Sequence, residues 1–172
     1  MVESADELER RWSTFPPEPR DGGTVRLVCL RAGNDVHHCP PSITVTPEDG
    51  AVGDRWAQGS RAVERQLTIM SARAAALVAD DHAALHLAGD NILVDLDLST
   101  DALPAGTRLA IGTAIVVVSA VPHTGCKKFV ARFGSGALAW TQAHPARRLR
   151  GINAWVEQGG VISLGDPVAV RR

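Results

Sequence analysis

The chain carries almost no net charge. Its 172 residues include 18 lysines and arginines against 19 aspartates and glutamates, a formal net charge of -1 at pH 7. A chain with this balance has no strong overall field that would draw it to nucleic acid or to an anionic membrane. We therefore expect no nucleic-acid partner, and any anionic ligand must bind in a local pocket.

Long apolar segments are missing as well. The first eight residues, Met1–Leu8, are acidic and contain no apolar stretch of the kind found in secretion signals. The longest apolar run lies near 114–118 and is far shorter than the roughly 20 residues of a membrane span. These absences predict a soluble, cytoplasmic protein with no membrane partner.

Cysteine is scarce, and its spacing is uninformative. Cys29, Cys39 and Cys126 form an odd set that contains no Cys-x-x-Cys pair of the kind that holds zinc. In a reducing compartment the three are predicted to be free thiols. The glycines at 134 and 136 lack the Lys-Ser/Thr of a P-loop, and no Gly-x-Ser-x-Gly elbow occurs. Neither nucleotide binding by a P-loop nor serine hydrolysis is therefore favoured.

The sequence does contain many short β-rich segments separated by glycine-rich turns. Strands are predicted for 24–30, 42–46, 65–70, 91–96, 107–111, 114–121, 152–156, 161–164 and 168–170. Short helices are predicted for 4–12, 72–78, 126–133 and 138–144. This pattern predicts a mainly β protein, a β-barrel with a few short α-helices, rather than a doubly wound fold. Residues 1–23 are interpreted as an N-terminal helix and linker, and residues 24–172 as the barrel domain.

The segment 122–134 carries the chemistry most typical of a functional site. Cys126 follows a buried-looking strand and is followed at once by Lys127 and Lys128, with Arg132 six positions after the cysteine. The N-terminus of a helix and nearby cations stabilise the thiolate form of a cysteine. A thiolate can bind a soft metal, carry a persulfide or attack an electrophile. Helical spacing places Lys128 and Arg132 on one face, where they can hold a phosphate. The alternatives are a buried structural cysteine and a solvated cationic face.

Several ordered fragments resemble the MOSC domain, the module named for the C-terminal part of molybdenum cofactor sulfurases, as a stand-alone member. Each fragment alone is weak, but their order and spacing are specific. The resemblance implies a β-barrel of the pyruvate-kinase-barrel-like type. The matching fragments are 53–55, 65–69, 90–92, 96–99, 106–112, 126–129, 151–156, 159–162 and 165–168.

The resemblance also implies a role for Cys126. In the family the matching cysteine is a molybdenum ligand in some members and a proposed sulfur carrier in others. Molybdenum-binding members reduce N-hydroxylated compounds with electrons from a partner protein, so the chain is a possible molybdenum-cofactor-dependent oxidoreductase or sulfurtransferase. Under the first hypothesis, an oxidoreductase, Cys126 is the metal ligand of a molybdopterin cofactor. The residues expected to hold that cofactor are Arg55, Asn91, Lys127, Lys128 and Arg132.

Two alternatives stay open at this point. In one, Cys126 carries a persulfide supplied by a cysteine desulfurase for the assembly of a metal–sulfur cofactor. In the other, the chain is a binding domain without catalysis. The sequence departs from the family at two positions, because Trp56 follows the Asp-Arg pair where many members have a histidine nearby, and Gly125 precedes the cysteine where proline is common.

Overall fold

The computed structural model describes residues 3–172, apart from the side chain of His82. Three α-helices are present in it, and short 3-10 turns cover 55–58, 63–65, 82–88 and 145–147. The helices are α1 (Ala5–Trp12), α2 (Ala72–Ala79) and α3 (Lys127–Gln142). The strands are β1 (Gly23–Val28), β2 (Leu30–Arg31), β3 (His37–His38), β4 (Ser42–Thr46), β5 (Gly50–Ala51), β6 (Leu67–Ser71), β7 (Ile92–Val94), β8 (Arg108–Ile111), β9 (Ala114–Pro122), β10 (Ile152–Gln158), β11 (Gly160–Ser163) and β12 (Pro167–Arg171).

Seven strands close into a barrel in the order β1-β12-β8-β9-β10-β6-β7, and β7 pairs back onto β1. Neighbouring strands are antiparallel except β6 and β7, which run parallel because α2 carries the chain from one end of the sheet back to the other. A second sheet, β11-β4-β5, lies beside the barrel. Closure leaves the barrel without a free edge strand. The predicted fold class, a β-barrel with a few short helices, is confirmed.

Two apolar cores explain why some strands are buried on both faces. Alternate residues such as Leu67 and Ile69 of β6 fill the barrel interior, whereas Met70 of the same strand points to a second cluster outside it. The outer cluster is made by helices, with Phe129 and Trp140 of α3 both about 1% exposed. This helical layer covers the side of the barrel on which the segment 122–134 lies.

The N-terminal helix belongs to this helical layer. Ser4 caps it by accepting a hydrogen bond from the backbone N–H of Glu7, as the capping box predicts. Its Leu8 is 1% exposed, and Trp12 meets Trp140 edge-on with ring centroids 5.8 Å apart. The predicted helix is confirmed in position, while a domain boundary at residue 23 stays a prediction.

Helix α3 consists of two helical segments joined by a kink at Gly134, in agreement with the two helices predicted for 126–133 and 138–144. Gly134 interrupts it with a left-handed φ of 84°, a conformation that glycine adopts without steric cost. Gly136 then passes against the backbone of residues 3 and 4, where a Cβ atom would meet the carbonyl oxygen of Glu3 at 2.3 Å. The glycine pair is therefore a kink that fits the helix under α1, in line with the predicted break.

Cys29 and Cys39 form a disulfide, so the prediction of three free thiols is wrong for these two. The reason is topological, because β2 and β3 pair as a hairpin with Leu30 opposite His38. That pairing brings the two flanking cysteines to a Cα–Cα separation of 4.2 Å, which a spacing of ten residues does not reveal. Cys126 is a free cysteine, as predicted.

Within residues 3–172, none of the helices combines the length and the apolar character that a membrane crossing requires.

One buried carboxyl in this fold gives stability a pH dependence. Glu18 accepts a hydrogen bond from Ser71 Oγ at 2.5 Å, and burial raises its pKa to about 7 from an ordinary 4.5 although that hydrogen bond opposes the shift. The folded protein therefore holds a proton that the unfolded chain releases, and stability is expected to fall as pH rises from about 4.5 through 7. The Glu18→Gln variant should exceed the wild type by about 2–3 kcal/mol at pH 8 and match it near pH 4.5.

Denaturant titrations of both proteins at these two pH values measure this difference. If the difference in stability between the two proteins is the same at pH 8 as at pH 4.5, the assignment of a buried proton to Glu18 is contradicted.

Candidate functional site

The thiol of Cys126 lies at the N-terminal end of α3. The chain leaves β9 at Pro122, and residues 123–125 turn it so that Cys126 becomes the capping residue of the helix, with an extended backbone and no hydrogen bond from its side chain. The thiol is exposed. Gly125 packs closely against the second half of α3, and a Cβ there would meet the terminal methyl group of Leu138 at 2.1 Å, so a larger residue requires Leu138 to shift.

Four of the predicted site residues line one cavity, which we call the thiol cavity. Its volume is about 120 Å³, and its walls include Cys126, Arg55, Lys128 and Arg132. Lys127 is exposed and does not line it. The thiol and three cations therefore lie together although Arg55 is 71 positions before Cys126 in the chain.

Lys128 and Arg132 share one helix face, as their spacing predicts, and both contact Asp35. Lys128 Nζ lies 2.5 Å and Arg132 Nη2 lies 3.3 Å from Asp35 Oδ1. The hydrogen bond from Lys128 lowers the pKa of Asp35, so the carboxyl is ionised at neutral pH. Asp35 sits at the tip of the β2–β3 hairpin with a left-handed φ of 60°. A carboxylate thus already contacts two of the cations proposed for a phosphate.

Asn91 is buried and supports the site from behind instead of lining it. Its amide nitrogen donates to Asp54 Oδ1 at 3.0 Å and to the Cys29 carbonyl at 3.2 Å, and its oxygen accepts from the Thr68 N–H at 3.1 Å. Asp54 in turn accepts two hydrogen bonds from the Arg31 guanidinium at 3.0 and 2.8 Å. Burial alone would raise the pKa of Asp54, but Arg31 outweighs it and the pKa lies below its ordinary value.

A second, larger cavity adjoins the thiol cavity. This arginine cavity has a volume of about 490 Å³, and its lining includes Arg55, Arg65 and Trp56. It shares Arg31, Arg55, His123 and Thr124 with the thiol cavity. In the described part of the chain neither Arg55 nor Arg65 forms an ion pair. Their charges are therefore available to an anionic ligand.

A buried charged cluster lies behind His123. Arg150 Nη1 donates to Asp90 Oδ2 at 2.8 Å, and Asp90 Oδ1 lies 3.4 Å from His123 Nδ1. Burial lowers the pKa of His123 to about 4 despite the nearby Asp90 carboxylate, so the ring is neutral at pH 7. Arg150 also lies over the Phe129 ring, with its guanidinium carbon 4.8 Å from the ring centroid.

The site residues selected from the sequence did not include Arg31, Arg65, Asp90, His123 and Arg150, all of which bear on the site. Arg65, Asp90 and His123 lie in fragments that the sequence singled out, whereas Arg31 and Arg150 lie outside them. The signal that was available is a charged residue next to an apolar strand, as Asp90 and Arg150 are, because a charge there is buried only with a partner. Among the described residues no cluster of three or more histidines, cysteines or acidic residues is arranged to hold a metal ion.

Replacing Asp35 with asparagine should strengthen the binding of inorganic phosphate. The substitution removes the carboxylate that competes for Lys128 and Arg132, and an exposed ion pair is worth about 0.2–1 kcal/mol, so the dissociation constant should fall up to about fivefold. Calorimetric titration at low ionic strength measures this. Asp101→Asn, which removes an exposed carboxylate paired with Arg20, is the matched control and should change nothing. Unchanged or weaker phosphate binding in Asp35→Asn would contradict the prediction.

Barrel and site together define a class: a small closed β-barrel that presents an exposed cysteine, at the start of a helix, beside a group of arginines and lysines. The family model described as the MOSC domain matches residues 35–169, and the chain belongs to this family. The matched range includes Asp54, Asn91, Cys126 and Arg150.

Solved structures share the fold at low sequence identity. The YuaD protein from Bacillus subtilis is 18% identical with a TM-score of 0.60, and the alignment covers 87% of this chain and 95% of that one. YiiM from Escherichia coli is 18% identical with a TM-score of 0.58, covering 87% and 70% of the two chains. YiiM from Geobacillus stearothermophilus is 17% identical with a TM-score of 0.62, covering 87% and 75%. No curated protein matches the chain.

Proposed function

We propose that this MOSC protein binds a molybdenum cofactor through Cys126 and reduces the N–O bond of N-hydroxylated compounds. The observation that carries the proposal is the thiol cavity, in which an exposed, unbonded thiol lies with Arg55, Lys128 and Arg132. A thiolate is the ligand that a soft metal prefers, and guanidinium groups are suited to a phosphate.

The residues present fit such a cofactor. Cys126 supplies one sulfur ligand, and the adjoining arginine cavity offers Arg55 and Arg65 as cations without a carboxylate partner for the phosphate of the pterin. Several buried polar atoms nearby also lack a hydrogen-bond partner, namely Asp90 Oδ1, His123 Nδ1 and Arg150 Nε. Buried groups without a partner are uncommon in proteins, so these three atoms are available to a bound ligand.

The cofactor would supply two-electron redox chemistry. Reduction of a hydroxylamine to an amine consumes two electrons and two protons and releases water, and the electrons must come from a partner protein. In the residues of this chain, His123 is neutral at pH 7 and holds one proton on its ring, with Nδ1 facing Asp90 Oδ1 at 3.4 Å. Arg31 and Asn91 keep Asp54 in place, which fixes the start of the loop that carries Arg55.

Metal analysis tests the proposal. Protein purified from a host that makes the cofactor should contain molybdenum and a pterin in near-equal amounts, each approaching the amount of protein. The same protein from a host unable to make the cofactor is the control and should contain neither. A chain that stays free of molybdenum in the competent host would refute the proposal.

A second function is supported by the exposure of Cys126. An exposed thiol is accessible to another protein, as transfer of sulfur from a cysteine desulfurase requires. On this proposal, incubation with a desulfurase and cysteine adds one sulfur to the intact protein, and the addition is absent in Cys126→Ser. If neither molybdenum nor added sulfur is found, the third alternative remains, a binding domain without catalysis.

A further inference from the structure

A third cavity shares the lining residues Pro122, His123 and Thr124 with the arginine cavity. Its walls are the end of β9, residues 119–122, the end of α3, residues 141–142, and the turn at 145–146. The volume is about 620 Å³, within the roughly 300–1,000 Å³ typical of small-molecule sites. Ala120, Val121, Pro122, Pro145 and Ile152 contribute to a lining that is mainly apolar, and we call it the apolar cavity.

One cation in this lining lacks a counter-ion. Arg148 Nη1 donates to the Leu103 carbonyl at 2.7 Å and to the Leu98 carbonyl at 3.4 Å, which holds the guanidinium in place. Burial lowers the pKa of Arg148, and within residues 3–172 no carboxylate pairs with it. A positive charge that is partly removed from water without a counter-ion is unfavourable, and an anionic group in the cavity would relieve it.

The apolar cavity is next to the thiol cavity. His123, Thr124 and Arg150 line both cavities, so the two spaces adjoin at these residues. Cys126 follows Thr124 by two residues. A molecule in the apolar cavity that contacts His123 and Thr124 therefore lies next to the cavity that contains the thiol.

We propose that the apolar cavity binds the substrate, a small molecule with an apolar body and one carboxylate, and that Arg148 pairs with the carboxylate. The apolar walls bind the apolar part of the molecule because its surface is removed from water. The positive charge of Arg148 favours acids over neutral analogues. This assignment rests on the proposed reduction of N–O bonds and places the reacting end of the substrate beside His123 and Thr124, where the apolar cavity adjoins the thiol cavity. The carboxylate at the other end of the substrate pairs with Arg148.

Two probes of nearly equal size test the charge selection. The protein from a host without the cofactor is titrated with 2-naphthoate and with 2-naphthamide, and both are followed by their fluorescence. We expect naphthoate to bind about tenfold more tightly, as a hydrogen-bonded charge in a partly buried site implies. Arg148→Met should abolish the difference between the two probes, and Arg148→Lys should keep part of it. Arg20→Met, which removes an exposed arginine paired with Asp101, is the control and should change neither affinity.

A second variant keeps the test valid if Arg148→Met fails to fold. Ala120 is an exposed strand residue in the cavity wall, so Ala120→Trp should fill the cavity and weaken both probes. Equal affinities for the two probes, no binding of either, or unchanged binding in Ala120→Trp would each overturn the proposal. Because the titration needs no molybdenum, naphthoate selection in a chain that never acquires molybdenum would retain the acid site and overturn its assignment to N–O reduction.

Discussion

The Arg150→Met variant is expected to lose about 3–5 kcal/mol of unfolding free energy at pH 7, because removing one partner of a buried ion pair leaves the other charge uncompensated. The Asp90 side chain has no exposed surface, and Arg150 Nη1 is its hydrogen-bond partner at 2.8 Å. Methionine keeps an apolar stem of similar length against Phe129 and Met70, so the loss comes mainly from the charge. Equilibrium denaturation by urea, with the slope unchanged, measures it.

A double variant separates the effect of charge from that of packing. Asp90→Asn together with Arg150→Met removes both buried charges, and it should recover most of the stability lost in Arg150→Met alone. A double variant as unstable as the single one would show that the Arg150 side chain acts through packing and through its bond to the Ala88 carbonyl at 3.2 Å. That result would contradict the buried ion pair as the source of stability.

The strands of the barrel were predictable because each is a short β-branched, apolar segment bounded by turn residues. The strand predicted for 42–46 has the same bounds as β4, and the helix predicted for 72–78 differs from α2 by one residue at its end. The division of the β-rich segments between a seven-stranded barrel and the sheet β11-β4-β5 was not predictable, since pairing joins residues far apart in the chain. The disulfide was missed for the same reason, because only the β2–β3 pairing brings Cys29 and Cys39 together.

Within the site, only the local geometry was predictable from the sequence. Lys128 and Arg132 share one face because they are four residues apart in a helix, but the Asp35 carboxylate that both contact is 93 residues before Lys128. Asn91, which was predicted to bind the cofactor, is buried and donates a hydrogen bond to Asp54. Its neighbour Asp90 faces Arg150, 60 residues away. Which of two adjacent polar residues faces a cavity depends on the register of the barrel, which the sequence does not display.

The Cys126→Ser variant is expected to lose its molybdenum, whereas the fold stays intact. Removing even an outer partner of a metal ligand costs about 10–100-fold in affinity, so loss of the proposed ligand itself should lower the molybdenum content by more than tenfold. The thiol is exposed and makes no capping hydrogen bond, so the unfolding free energy should not fall, and a serine at this N-cap position can raise it by up to about 1 kcal/mol. Metal analysis and urea denaturation of the same preparation measure both.

Lys127→Gln is the matched control for Cys126→Ser, because Lys127 is adjacent in sequence and lies outside the thiol cavity. It should retain the molybdenum of the wild type. Loss in both variants would indicate that the N-terminus of α3 is disturbed, and retention in Cys126→Ser would show that the cysteine is not the ligand. Loss of molybdenum in Cys126→Ser alone, without loss of stability, identifies a bond between the sulfur and the metal, since serine at this position preserves the other contacts of the helix.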